Sequence, residues 1–210
     1  MSRAPIAAFP VGLRLEGRDV LVVGAGRIAA RKAAALAEQG ARLNVVALHY
    51  SADMDALDVA TREVRSFHPS DLDDVWYVVT ATGDPAVDGL VFAEAEKRRV
   101  FCNAADDPDH CSVILPAVVR RGAVTISIST GGRSPATASW LRRQIGELLD
   151  DDVDRVADVA ASVRDRMRDA GLATEVPGWA AVLDGEAKTI LAGSDDVELE
   201  RRLWEALVEA

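Results

Sequence analysis

The sequence has little cysteine and no long apolar run, and both absences limit the class of protein that it encodes. Cys102 and Cys111 are the only cysteines in 210 residues. Because this is too few for a disulfide framework, we expect a reducing compartment, the cytoplasm. No stretch of about 18 apolar residues occurs, so we expect no transmembrane helix. The short apolar stretch before Pro10 also lacks the length of a secretory signal.

Basic residues are scarce as well. Lysine and arginine together number 24 against 34 acidic residues, which gives a formal net charge of −10. Such a charge argues against a nucleic-acid partner and against binding to anionic lipid. Cysteine and histidine do not occur at the spacing of a permanent metal site, so we expect no resident metal. The apolar share of 49% is enough for a substantial core.

The first half of the chain alternates between strand-like and helix-like segments. A buried strand is predicted at 19–23, a helix over 28–39 that stops at Gly40, and a second strand at 43–47. This alternation predicts an α/β fold with a Rossmann-like parallel sheet covered on both faces. Further strands are predicted at 62–64, 76–81 and 100–103, and a further helix over 85–98.

The pattern changes after Pro108. Segments 113–116 and 123–128 have the composition of strands, and the chain from Ala136 onward has helical spacing almost throughout, up to a last helix over 197–208. We therefore predict three parts. They are a Rossmann domain over 1–113, a small α/β module over 114–150 and a helical C-terminal domain over 151–210.

A Gly-rich turn follows the first predicted strand. Gly24, Gly26 and Ala29 have the spacing of a dinucleotide fingerprint. The first glycine permits a tight turn, the second lets the backbone approach a pyrophosphate, and the alanine allows the helix to pack closely on the strand. A glycine turn without any ligand is the alternative interpretation. The position between a strand and a helix favours a nicotinamide dinucleotide.

The end of the second predicted strand lacks the acidic residue that usually binds the adenosine ribose. No carboxylate occurs between Val46 and Asp53. His49 or backbone groups could contact the ribose instead, or His49 is an ordinary solvated loop residue. The residues alone leave the choice between NAD and NADP open.

Two later segments carry groups suited to catalysis or binding. Asp106 and Asp107 follow the strand at 100–103, on the sheet edge where ligands bind, and could supply a general base. Asp-Asp-Pro is also good turn chemistry, and composition alone favours that interpretation. The segment 129–135 offers hydroxyls, N–H groups and Arg133 before a helix, which suits either an anionic group or an ordinary loop.

Taken in this order, these motifs resemble the N-terminal part of the siroheme synthase family. Members of that family are precorrin-2 dehydrogenases, and some are also sirohydrochlorin ferrochelatases. The resemblance covers residues 5–150 well, whereas the rest of the chain matches only as a helical tail. It is carried by the segments 24–32, 81–84, 101–108 and 129–135.

The resemblance implies a dehydrogenase site. NAD⁺ would accept a hydride as precorrin-2 is oxidised to sirohydrochlorin, with Asp106 as the base and Asp107 as a turn residue. The end of the second strand would complete the dinucleotide site without a carboxylate. Cofactor contacts are expected at Gly24, Gly26, Arg27, Ile28, Leu48, His49, Thr80, Ala81 and Asn103, and substrate contacts at Thr130, Gly131, Arg133 and Ser134.

The resemblance also implies partners. A homodimer would form through 114–150, which makes that segment a dimerisation module. Precorrin-2 carries many carboxylates, so its pocket should be locally basic. In bifunctional members Fe²⁺ is a further substrate. The rival interpretation is a non-catalytic NAD-sensing Rossmann regulatory domain, but such sensors usually carry the acidic residue after the second strand and need no base at Asp106.

Overall fold

The computed structural model describes residues 6–149, 152–185 and 195–209, which form two compact units. The first unit comprises the chain up to residue 115 together with 131–133, and the second comprises 116–130 and the residues from 134 onward. The described strands are β1 (Asp19–Val23), β2 (Arg42–Ala47), β3 (Thr61–Val64), β4 (Tyr77–Thr80), β5 (Phe101–Ala104), β6 (Ala117–Arg121) and β7 (Val124–Ile128). The described α-helices are α1 (Arg27–Ala37), α2 (Ala52–Asp55), α3 (Pro85–Arg98), α4 (Pro135–Leu148), α5 (Val153–Asp169), α6 (Gly178–Gly185) and α7 (Asp196–Trp204).

The first unit is built on a five-stranded parallel sheet with the order β3-β2-β1-β4-β5. The central strand β1 pairs with β2 on one side and with β4 on the other. The order of the strands therefore reverses beside β1. In open α/β sheets, ligands bind at the carboxyl ends of the strands at such a reversal. The Rossmann-like parallel sheet predicted from the sequence is confirmed.

Two apolar cores lie on opposite faces of this sheet. Successive side chains of a strand point to opposite faces, so Val20 and Val22 of β1 belong to one core and Leu21 to the other. Helix α1 covers the first core with buried alanines, whose small size allows the helix to lie close to the sheet. Helix α3 covers the second core with Val91 and other buried residues.

The second unit begins with the antiparallel hairpin of β6 and β7. The turn of this hairpin is held by α5, because the Asp154 carboxylate accepts a hydrogen bond of 2.7 Å from the backbone N–H of Ala123. Helices α5, α6 and α7 share an apolar core that includes Val163, Met167 and Leu203. None of the helices that the structure describes is long and apolar enough to cross a membrane.

The strand predicted at 113–116 is wrong, since β6 begins only at Ala117. The backbone N–H groups of Ser112 and Val113 both donate to the carbonyl of Cys102, at 2.9 and 3.0 Å. The carbonyl of Val113 in turn accepts a hydrogen bond from the Asn103 side chain. This segment is therefore held against the end of β5, and the proline at 116 has no N–H to offer a ladder. The proposed boundary between 150 and 151 lies outside the described residues.

Candidate functional site

Gly24 brings the ends of β1 and β4 together. Its φ of +97° lies in the left-handed region, and a Cβ there would lie 2.5 Å from the carbonyl oxygen of Ala81. Its N–H donates to the carbonyl of Val46 at 2.9 Å. Any side chain at this position would thus be both strained and in collision with backbone. Gly24 is required by the fold at the reversal point of the sheet.

Gly26 leaves the start of α1 open. It is the N-cap of the helix, no side chain caps the helix there, and the first turn contains no acidic residue. A Cβ at Gly26 would meet no described atom within 4 Å. The first N–H groups of the helix and its positive dipole end are therefore available to an anion. This open cradle fits the pyrophosphate of a dinucleotide. Arg27 and Ile28 form the exposed first turn of the same helix.

A cavity of about 310 Å³ lies beside the Gly-rich turn, at the carboxyl ends of β1, β2 and β4. The exposed Leu48 and His49 line it at the end of β2, and Ala81 lines it at the end of β4. Five of the nine expected cofactor contacts thus line one cavity, whereas Arg27, Ile28, Thr80 and Asn103 do not. The lining residues that sequence reasoning missed include Arg65, Ser66, Phe67, Thr82 and Asp84.

Arg65 is an arginine of this cavity whose donors are already engaged. Its Nη1 and Nη2 donate to the two carboxylate oxygens of Asp71, both at 2.8 Å, and its Nε donates to Glu63 at 3.1 Å. Partial burial alone would raise the pKa of Asp71, but the hydrogen bonds from Arg65 and from the backbone N–H of His68 together outweigh it and hold the pKa below its ordinary value. The arginine is thus locked between two carboxylates.

Thr80 lies beneath the cavity. Its side chain is fully buried and donates to the buried Asp88 of α3, and its carbonyl accepts a hydrogen bond of 2.8 Å from Ala105. Asp88 also accepts from the backbone and the hydroxyl of Thr82, at 3.2 and 2.8 Å. The Thr80 side chain therefore anchors the turn after β4 to α3. The side chain is turned inward, and the expected contact of Thr80 with the cofactor stays a prediction.

The loop after β5 presents Asp106 at the surface. Asp106 has a φ of 60°, a left-handed conformation that aspartate tolerates better than most residues, and its side chain is exposed. Asp107 caps the 3₁₀ turn Pro108–His110, and its carboxylate forms a hydrogen bond of 2.6 Å with Nδ1 of His110. The hydrogen bond from His110 lowers the pKa of Asp107. Asp107 therefore has the turn role expected of it, and Asp106 is exposed immediately before that turn.

Asn103 and Lys32 form a contact that the sequence did not indicate. Asn103 is buried in β5, and its Oδ1 accepts a hydrogen bond of 2.9 Å from Nζ of Lys32 on α1. Its Nδ2 donates to the carbonyl of Val113, also at 2.9 Å. The Asn103 amide is consequently engaged on both sides within the protein. The expected contact with the cofactor stays a prediction, and the structure gives this side chain a role in joining α1 to β5.

The segment expected to bind substrate forms the cap of α4. Ser134 is the N-cap and accepts from the N–H of Thr137, and the hydroxyl of Thr130 accepts from the N–H of Ser134 at 3.2 Å. Gly131 takes a positive φ of 61°, and Arg133 is exposed. Thr130 and Ser134 belong to the second unit, whereas 131–133 belong to the first. The expected contacts of these residues with the substrate stay a prediction.

The described residues contain no cluster of histidine, cysteine and carboxylate side chains that could hold a metal ion. The groups available for chemistry in the first unit are instead an open helix N-terminus, the cavity beside it and the exposed Asp106.

The sheet order, the open N-terminus of α1 and the cavity at the reversal point together define a dinucleotide-binding domain of the Rossmann type. Residues 11–117 match the family described as "Putative NAD(P)-binding", and the chain belongs to that family. The expected nicotinamide dinucleotide is thus supported as NAD(P). Residues 121–148 match a second family, described as "Sirohaem biosynthesis protein central".

The chain is similar in sequence to curated siroheme synthases. It is 32% identical over 204 residues to siroheme synthase 1 of Serratia proteamaculans. This match covers 95% of this chain and 43% of the relative. It is 38% identical over 163 residues to the siroheme synthase of Citrobacter koseri. That match covers 76% of this chain and 36% of the relative. The chain spans less than half the length of these relatives. The resemblance found from the motifs is confirmed.

A solved structure described as SirC, precorrin-2 dehydrogenase, has a similar fold. Its TM-score is 0.72 at 24% identity, and the match covers 94% of this chain and 100% of that chain. The likeness confirms the fold class, a Rossmann-like parallel sheet accompanied by a smaller mixed and helical part.

Proposed function

We propose that this protein oxidises precorrin-2 to sirohydrochlorin, with NAD⁺ as the acceptor, as a step of siroheme biosynthesis. The observation that carries the proposal is the pairing of two features on one edge of the sheet. The open N-terminus of α1 at Gly26 follows β1, and the exposed Asp106 follows β5. The likeness to siroheme synthases and to a structure named as a precorrin-2 dehydrogenase supports this choice of substrate.

The reaction removes one hydride and one proton from the macrocycle, so precorrin-2 and NAD⁺ give sirohydrochlorin, NADH and H⁺. Bound NAD⁺ supplies the hydride acceptor. The backbone N–H groups after Gly26 bind its pyrophosphate, and Leu48 and His49 border its adenosine half. Asp106 accepts the proton at its carboxylate, which is exposed and held on a fixed turn.

The hydrogen bonds that Arg65 makes to two carboxylates favour NAD⁺ over NADP⁺ as the hydride acceptor. The 2′-phosphate of NADP⁺ is best bound by an arginine whose donors are free to form a fork. Arg65 already donates to Asp71 and Glu63. Those two carboxylates would also repel a phosphate at this rim of the cavity. An uncharged ribose hydroxyl meets no such repulsion.

Further partners belong to the same proposal. Arg133 is exposed and offers a cation to the carboxylates of precorrin-2. A second copy of the chain is proposed to pair through the 114–150 module, and the cytoplasm is the proposed location. Iron insertion into sirohydrochlorin is the second activity that the resemblance implies, with Fe²⁺ as substrate.

The test is an anaerobic assay of purified protein with precorrin-2 and NAD⁺, followed by NADH formation and by the absorbance of sirohydrochlorin. Asp106→Asn keeps the shape of the side chain and suits a left-handed residue, so the loss of activity would report the carboxylate itself. Asp74→Asn is the matched control, because Asp74 is exposed and has a φ of 61° but precedes β4, whereas Asp106 follows the carboxyl end of β5.

We expect Asp106→Asn to lower kcat by about 10²-fold or more, the usual contribution of a general base, with NADH affinity unchanged. Full activity in this variant would contradict the role of Asp106. NADH binding without any turnover of precorrin-2 by the unaltered protein would favour the sensor interpretation.

A further inference from the structure

We propose that Lys32 is a positioning residue that couples the dinucleotide helix α1 to the loop that bears Asp106. This inference deepens the proposed function and rests on it for its catalytic consequence. Lys32 lies in the second turn of α1, the helix whose first turn is the pyrophosphate cradle at Gly26. Its side chain leaves the helix surface and reaches β5, which ends two residues before Asp106.

The contact of Lys32 with Asn103 is specific in its geometry. The ammonium only donates and the Val113 carbonyl only accepts, so the Asn103 amide has one satisfactory orientation, with Oδ1 toward Lys32 and Nδ2 toward Val113. Both hydrogen bonds are 2.9 Å long, and Asn103 is only 6% exposed. The link therefore joins residues 71 positions apart in the chain and fixes β5 immediately before the Asp106 turn.

The charge of Lys32 interacts with groups of the loop that follows β5, namely Asp106 and Cys111. Burial lowers the pKa of Lys32 and the neighbouring Arg31 lowers it further, whereas Cys111 and the Asp106 carboxylate act in the opposite direction. A half-buried ammonium is costly unless opposite charge or hydrogen-bond acceptors offset the loss of water. Lys32 thus has an acceptor in Asn103 of β5 and an electrostatic partner in Asp106, which follows β5.

One consequence follows for the reaction. The Lys32–Asn103 contact joins the helix that bears the cradle to the strand that precedes the base, and misplacement of a reacting group by about 1 Å can cost about 10²-fold in rate. A lysine that only stabilised the fold would not have this effect.

The experiment compares Lys32→Met, Lys32→Arg and Lys97→Met. Methionine keeps most of the length of the side chain without its charge, and arginine restores the charge. Lys97 is the matched control, because it is exposed on α3 and pairs only with the nearby Glu94 of its own helix among the described residues. The assay measures kcat and KM for NAD⁺, together with the melting temperature.

For Lys32→Met we expect kcat to fall about 10- to 100-fold, with KM for NAD⁺ changed less than about threefold. Lys32→Arg should restore most of kcat. A lower melting temperature with an unchanged kcat would overturn the proposal.

Amide hydrogen exchange gives a readout that needs neither cofactor nor substrate. Peptides that span 103–107 should exchange faster in Lys32→Met than in the unaltered protein, and those of Lys97→Met should not change. Equal exchange in the two variants would overturn the coupling of α1 to this loop. If precorrin-2 is not oxidised at all, the proposed function fails, whereas the exchange result still decides whether Lys32 holds the loop.

Discussion

Arg65 and Asp71 form a two-pronged ion pair at the rim of the dinucleotide cavity, with both nitrogen–oxygen distances at 2.8 Å. Residues 65–67 line the cavity itself, whereas Asp71 belongs to the following 3₁₀ turn, Pro69–Leu72. The carboxylate therefore determines whether the Arg65 guanidinium can turn toward a ligand. This relationship links a local turn to the choice of cofactor.

Removal of the negative charge at Asp71 should improve the use of NADP⁺. In Asp71→Asn, Arg65 loses its two-pronged partner and becomes available to a 2′-phosphate. We expect the ratio of kcat/KM for NADP⁺ to that for NAD⁺ to rise about tenfold, equivalent to about 1.4 kcal/mol. Asp73→Asn is the control, because Asp73 pairs with Arg98 instead. An unchanged ratio in Asp71→Asn would contradict the role of this ion pair.

The same pair predicts a pH dependence of stability. The pKa of Asp71 is lower in the folded protein than its ordinary value of 3.8. A carboxyl group with a lowered pKa stabilises the fold above the unfolded pKa, and this contribution disappears as the pH falls through the folded value. The melting temperature of Asp71→Asn should therefore lie below that of the unaltered protein at neutral pH, and the difference should shrink as the pH is lowered past about 4. A constant difference across the acidic range would exclude this ion pair as the cause.

The two glycines of the turn should respond differently to alanine. Gly24→Ala places a Cβ against the Ala81 carbonyl in a left-handed backbone, so we expect a loss of about 1–3 kcal/mol in the free energy of unfolding. Gly26→Ala meets no described atom, so stability should change by less than about 0.5 kcal/mol. NADH affinity of Gly26→Ala should nevertheless fall about tenfold or more, because the methyl group occupies the cradle. Urea unfolding and fluorescence titration would measure the two effects. Unchanged NADH binding in Gly26→Ala would contradict the proposed cradle.

Thr80 should matter for stability more than for cofactor binding. Thr80→Val removes the hydroxyl that donates to the buried Asp88, which leaves a buried carboxylate with fewer donors. We expect a loss of about 1–3 kcal/mol in the free energy of unfolding, and an NADH affinity within about threefold of the original. A large loss of affinity at unchanged stability would instead restore Thr80 as a direct cofactor contact.

Local patterns in the sequence were sufficient to predict the sheet and the glycine turn. The run of β1 and the spacing of Gly24 and Gly26 are contiguous features whose physical meaning is local. The parallel direction of the strands follows from the alternation of strands and helices. The family resemblance contributed Leu48 and His49, which lie on that cavity.

Contacts between distant segments could not be predicted in this way. Lys32 and Asn103 are 71 positions apart, and no periodic pattern marks them as partners. The inward orientation of Thr80 depends on Asp88 of α3, a carboxylate that would ordinarily be placed on the surface. The strand expected at 113–116 was wrong because Asn103 and the Cys102 backbone hold that segment. In each case tertiary packing determined the outcome.

The most direct measurement is the stoichiometry of a single turnover. Protein in excess over precorrin-2 is mixed anaerobically with NAD⁺, and NADH and sirohydrochlorin are quantified in the same sample. An NAD⁺-dependent dehydrogenase with Asp106 as its base should form one NADH for each sirohydrochlorin, at a rate that Asp106→Asn lowers about 10²-fold or more. Sirohydrochlorin formation without NADH would contradict the proposal that NAD⁺ is the hydride acceptor. An equal rate in Asp106→Asn would contradict the proposal that Asp106 is the base.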